Sequence, residues 1–147
     1  MRLAAALAAL TLLAAPAFVA GAAAQDFESY QQRQKDLTSL ATLFGELHHL
    51  RRTCDPRYEA DVWRERMKKL LELEEPQENE REALVGAFNK GYRAAQSRYP
   101  ACTRKARDYA ASRAVQGDTI VERLAAPLRD AGEVITTDPV VVVPATE

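Results

Sequence analysis

Two cysteines decide most of what this chain can fold into. Cys54 stands in "HHLRRTCDPRY" and Cys102 in "RYPACTRKA", 48 positions later, in a sequence that contains no others. Thiols this isolated serve as metal ligands, as a redox pair, as a nucleophile with a spare, or as the two halves of a staple. The choice turns on the compartment in which the chain folds, and the first residues bear on that.

The chain opens "MRLAAALAALTLLAAPAFVAGAAAQDF". Arg2 precedes an apolar run from Leu3 to about Val19, and Ala22 and Ala24 sit at the −3 and −1 positions of an A-x-A cleavage site before Gln25. This is the layout of a secretory signal. The run grazes the roughly 20 residues of a membrane anchor, but Pro16, the alanine content and the small-residue ending without a basic stop favour cleavage. No cysteine at the cleavage point marks a lipoprotein, and no Arg-Arg pair precedes the run. The expected organisation is a signal peptide over 1–24, a helical domain over 25–131 and a flexible tail over 132–147, with periplasmic localisation and no transmembrane segment after cleavage. Removing Arg2 leaves 19 basic against 21 acidic residues, a net charge near −2. That balance gives no support for nucleic acid as a partner.

An exported chain folds in an oxidising space, where an even cysteine count favours an intramolecular bridge. The competing chemistries have less behind them. Zinc needs more ligands, and on a helix His48 and His49 lie about 120° and 140° away from Cys54. C-x-x-C and C-x-x-C-H are both absent. Free or regulatory thiols and metal ligation stay open beside the bridge, which is the leading expectation for Cys54 and Cys102.

Helical periodicity organises the rest. Leu37, Leu40, Leu43, Phe44, Leu47, Leu50 and Cys54 fall on one broad face of a first amphipathic helix over about 26–53. Asp55-Pro56 reads as an N-cap followed by a first helical residue, so a second helix is expected over about 56–74, with Trp63, Met67 and Leu70 on its face. Glu75-Pro76 ends it. A third helix runs over about 77–97, with Leu84, Phe88, Gly91, Tyr92, Ala95 and Tyr99 as its stripe. A fourth starts near Thr103, a candidate N-cap, with Ala106, Ala110, Ala114 and Gly117 as a small-residue face. Gly117-Asp118-Thr119 followed by Glu122 reads as a stop and a new capping box, which predicts a break or kink at Gly117. One continuous helix is the alternative. After Gly132 the pattern dissolves; the valine run between Pro139 and Pro144 has no strand to pair with.

Candidate functional residues are few. Arg51 falls within the apolar face and needs a carboxylate or carbonyl partner. His48 and His49 diverge by about 100° on a helix and are expected at a solvated or rim position. Trp63 reads as a core anchor. Residues 90–113 hold seven basic residues against Asp108 alone, interleaved with Tyr92, Tyr99 and Tyr109. Of these, Arg93, Arg98, Arg104, Lys105 and Arg107 are the candidate partner-binding residues, suited to an anionic partner. No G-x-S-x-G, H-E-x-x-H or P-loop is present, so no catalytic, metal or cofactor-binding residue is assigned.

"LFGELHHLRRTC", "WRERMKKLLELE" and "FNKGYRAAQSRYPACTRKA" together resemble an uncharacterised family of small exported proteins of alphaproteobacteria marked by two well-separated cysteines. The likeness covers about residues 37–120 and rests on Leu50, Arg51, Cys54, Trp63, Arg64, Met67, Phe88, Asn89, Gly91, Tyr92, Arg93, Tyr99, Cys102 and Thr103. It implies a periplasmic location and a bridge between the two cysteines, and no substrate.

The expected fold is all-α, a small bundle of four to five helices stapled by one disulfide with a disordered C-terminal tail. The expected function is that of a non-enzymatic interaction or adaptor protein of the cell envelope, with a protein or an anionic envelope component as partner. A small peptidoglycan-active hydrolase would instead need converging carboxylates, and a chaperone or inhibitor would need a large exposed apolar patch.

Overall fold

A computed structural model describes the backbone of residues 17–58 and 60–136, and the side chains of 25–58 and 60–130. The residues before Ala17, which hold most of the expected signal, and the valine run between Pro139 and Pro144 lie outside the described residues. Four helices follow in order: α1 (Ala17–Cys54), α2 (Val62–Glu74), α3 (Glu78–Arg98) and α4 (Arg104–Thr136). The fold is all-α, as its periodicity predicts. The chain divides into two units at Gln32/Arg33. The first contributes the opening turns of α1, whose side chains from Gln25 to Gln32 are exposed. The core lies in the second unit. No helix among the described residues is long and apolar enough to cross a membrane.

Within the second unit α1 is the central element, and α2, α3 and α4 each pack against it. Trp63 of α2 meets Phe44 with ring centroids 5.7 Å apart. His48 lies beside Phe88 and Tyr92 of α3. Glu46 is bonded to Arg113 of α4. The expected stripe is present, with Leu37, Leu40, Leu43, Phe44, Leu47 and Leu50 all buried. The expectation of one apolar face against a solvated one holds at Lys35, Thr38 and Arg52, which are exposed, but fails between Leu43 and Leu50, where every residue is buried. A helix enclosed by three others has no dry side and wet side, so its polar residues go under cover too.

The local signals are partly as expected. Thr103 caps α4, its hydroxyl accepting from the Ala106 N–H at 3.2 Å. Gln77 forms a reciprocal capping box with Glu80 at the start of α3. Glu75 ends α2 in the left-handed region at φ 44°, ahead of Pro76, which bars helical geometry at the residue before it. Helix α2 begins at Val62 rather than near Pro56, since Pro56 and its neighbours form a turn closed by Tyr58 N–H to the Asp55 carbonyl at 3.3 Å.

The break expected at Gly117 is absent, and α4 runs continuously from Arg104 to Thr136. Gly117 does not take the left-handed conformation a helix stop requires. Thr119 does not cap either; its hydroxyl donates back to the Val115 carbonyl at 3.3 Å. Gly117 is instead buried facing α1; a Cβ there would stand 3.4 Å from Leu43 Cδ2, an ordinary contact distance, so the position continues the Ala106–Ala114 small-residue face without requiring glycine. The helix also passes Gly132, where the expected tail begins, and carries Pro127 in its interior.

The closest approach is between α1 and α3. A Cβ at Gly45 would fall 2.0 Å from the Phe88 carbonyl oxygen, and one at Gly91 would fall 2.0 Å from that of Thr42. The two glycines interlock, each lying over the carbonyl of a residue three positions before the other. Glycine is what allows backbones to touch in this way.

Candidate functional site

The two cysteines are joined. Cys54 and Cys102 form a disulfide with their α-carbons 4.9 Å apart, inside the range such bonds span. The helices alternate in direction, so the C-terminus of α1 and the α3–α4 turn come to the same end of the second unit, and the bridge ties them. His49 holds the same turn from within: its Nε2 donates to the Tyr99 carbonyl at 2.8 Å. Tyr99 stacks beside Tyr109 with centroids 5.0 Å apart, and the Arg98 guanidinium covers both rings at 5.5 and 5.4 Å.

His48 and His49 are therefore not at a solvated rim; both are buried. Enclosure of α1 on all sides is the reason, and each ring is used as an aromatic plate against Tyr92. His48 Nδ1 has no hydrogen-bond partner among the described residues, and its Nε2 stands 3.9 Å from Asp61. Burial lowers its pKa below the ordinary imidazole value, with Arg52 and Arg64 acting the same way and Asp61 and the Ala60 backbone opposing. The folded state thus prefers the neutral ring. This contribution to stability is complete above the unfolded-state value of about 6.5 and is lost as pH falls from there toward the lowered folded value. Urea midpoints are expected to drop on acidification through this window, and His48→Phe, which keeps the aromatic packing, is expected to flatten that part of the profile. An unchanged slope in the variant would assign the loss to other groups.

Two buried carboxylates and their partners went unread in the sequence. Glu46 accepts from Arg113 Nη2 at 2.9 Å and from the Tyr109 hydroxyl at 3.2 Å. Arg113 also bonds Gln116. The Tyr109 pKa is raised, first by burial and then by the Glu46 charge. Asp36 is clamped by Arg123, with Nε at 3.2 Å. Asp36 and Glu46 stand ten residues apart on α1, about 15 Å along the axis, so they do not converge. A legible signal did exist: Arg113 and Arg123 are also ten residues apart, the matching interval on an antiparallel helix.

The expected cationic residues are placed in two ways. Arg107 lines a pocket of about 260 Å³ beside the disulfide, with Leu47, Leu50, Trp63 and Ala110 as its apolar wall. Arg51 and Asp55 lie at the same pocket, joined to each other at 3.5 Å. Arg51 also donates to the Tyr58 carbonyl at 3.1 Å, which is the structural role its position predicts. Arg93, Arg104 and Lys105 are exposed and do not line the pocket. Arg104 is only loosely opposed by Asp108 at 3.9 Å. Trp63 is half-buried, packed on the core, with the Arg66 guanidinium 4.6 Å above its ring. Among the described residues no group of three or more His, Cys, Asp or Glu side chains is placed to hold a metal ion.

Comparison with known proteins returns no similar curated protein and no similar solved structure. A family model does match, described as "Protein of unknown function (DUF2385)", over residues 30–127. That span runs from the first half of α1 to Pro127 of α4 and contains both bridged cysteines, and the chain belongs to the DUF2385 family.

Proposed function

We propose that the protein is a non-enzymatic interaction protein of the cell envelope, exported to the periplasm, which docks an anionic protein or envelope component through the cationic surface at its disulfide end. The observation that carries this reading is the way α4 sorts its arginines. Arg113 and Arg123 are committed to the buried carboxylates of α1. Arg104, Lys105 and Arg107, in the opening turns of the same helix, are turned to solvent, as are Arg93 and Arg98 of α3. Arg107 has no side-chain partner among the described residues. Cations left unpaired on a rigid, bridged scaffold favour encounter with an acidic partner. Export is supported by the bridge, since such bonds persist in oxidising compartments, and by the signal layout over 1–24.

The test is charge reversal. Arg104→Glu combined with Arg107→Glu is expected to abolish the partner recovered after crosslinking in intact cells, while the melting temperature stays within about 2 °C, as for surface changes of under 0.5 kcal/mol. Undiminished recovery of the same partner would dismiss this surface.

A further inference from the structure

The pocket beside the disulfide has a chemistry of its own that needs no protein partner. Its lining is mixed: the apolar part is offered by half-buried Trp63 and Ala110 over the buried Leu47 and Leu50, with the Cys54 half of the bridge beside them. Its charged groups are Arg51, Arg107 and Asp55. Asp55 is already held by Arg51 at 3.5 Å, so Asp55 and Arg51 cancel and Arg107 remains as an uncompensated guanidinium. The rim therefore carries a single net positive charge beside the apolar surface of Trp63 and Ala110. Few convergent polar groups over an apolar wall is the usual composition of a small-molecule site. A volume of about 260 Å³ falls just under the roughly 300–1,000 Å³ of sites for drug-sized ligands, which excludes a long-chain lipid and suits a short one.

We infer that this pocket binds a medium-chain acyl carboxylate, with the chain against Trp63 and Ala110 and the carboxylate on Arg107. One carboxylate answers the one free guanidinium, in a charge-assisted pair that a planar fork favours. A dianion would place its second charge beside Asp55. This site goes beyond the partner surface proposed above and stands or falls separately from it.

The protein carries its own reporter, because Trp63 is the sole tryptophan of the chain. The full disulfide-bonded protein is titrated with octanoate while Trp63 emission is followed, with octylammonium and octan-1-ol as probes of equal chain length. Octanoate is expected to give a saturable change, and the other two a response at least tenfold weaker. Arg107→Gln is expected to weaken octanoate about tenfold or more, the range for losing a charged hydrogen bond. Arg104→Gln, away from the pocket, is expected to leave it unchanged. Absence of a saturable change at millimolar octanoate would overturn the inference. So would equal binding of octan-1-ol, or an Arg107→Gln variant that folds and binds as well as the parent. N-acetyl-leucine serves as the mimic of a polypeptide's C-terminal residue, and its binding without that of octanoate would overturn the acyl assignment. Loss of octanoate binding in Arg107→Gln with the crosslinked partner retained would uphold this site and leave the partner surface to the double charge reversal above; retained octanoate binding with the partner lost would overturn this site alone.

Discussion

Replacing Cys54 and Cys102 together by serine is expected to lower the stability of the folded domain by about 4 kcal/mol. The bridge closes a loop across 48 positions, and for a loop of that length the chain-entropy relation gives a figure near 4 kcal/mol. Domains of this size hold only about 5–15 kcal/mol in total, so the loss is a large share and corresponds to a fall of about 15 °C in melting temperature. The loosening is expected first at one end. The α3–α4 turn would remain attached to α1 by the His49 to Tyr99 bond at 2.8 Å, while the pocket would lose its Cys54 edge. Thermal melts of oxidised protein, reduced protein and the double variant check the magnitude, and hydrogen exchange at residues 99–103 checks the place. A double variant that melts within a few degrees of the oxidised parent would mean that packing around α1, not the crosslink, sustains the fold.

The second large effect is at the α1–α3 crossing. Gly91→Ala is expected to destabilise the domain by about 3 kcal/mol, at the upper end for overpacking. The added methyl would stand 2.0 Å from the Thr42 carbonyl oxygen, and because the obstacle is backbone no side chain can rotate out of the way. The helices would have to separate, and the packing of Leu84, Ala87 and Phe88 on α1 would be lost along with the contact. Gly45→Ala meets the Phe88 carbonyl at the same distance and is expected to cost a similar amount. The two changes relieve one another once the helices are apart, so the double variant should fall short of the sum. Gly86, in the same helix, is the control. Nothing lies within 4 Å of its Cβ position, so Gly86→Ala is expected to stabilise by about 0.5–1 kcal/mol through helix propensity alone. Denaturant titrations of the variants decide the matter by sign. If Gly91→Ala gains stability as Gly86→Ala does, the close crossing is not present in solution.

The apolar skeleton of the fold was readable because it obeys a period. Leu37 to Leu50 on α1, Leu84 to Ala95 on α3 and the alanines of α4 announce themselves at helical spacing; the leucines, Ala87, Gly91, Ala95 and Ala106 end up buried and Phe88, Tyr92, Ala110 and Ala114 half-buried. The even cysteine count and the expected signal peptide pointed to the staple that the structure contains between Cys54 and Cys102. What escaped has a common cause. Periodicity assigns polar residues to water, and that inference fails on a helix surrounded by its neighbours. His48, His49, Asp36 and Glu46 are buried because α1 is central, a property of the assembled domain and not of the segment that carries them. Gly117 has a related cause: a glycine before T-x-x-E reads locally as a stop, but the position is buried within a continuous helix facing Leu43, which lies 74 positions away. The start of α2 was missed because Asp55-Pro56 satisfies the rules for a helix start equally well as for a turn. At the candidate site, charge singles out Arg107 whereas periodicity assigns its pocket neighbour Trp63 only to the core; a sequence does not say which apolar residues border a void.

Helices faced with alanine and glycine, as α4 is toward α1, offer little resistance to sliding, since one small residue replaces another with each turn of about 5.4 Å. The two carboxylate–arginine clamps remove that freedom. A shift of α4 by a single turn would carry Arg113 and Arg123 off Glu46 and Asp36 together, stranding two anions under cover at once. Phase selection in this domain is thus electrostatic while cohesion is hydrophobic, and the folding chain has the means to set its last helix at the correct height before the two thiols are joined.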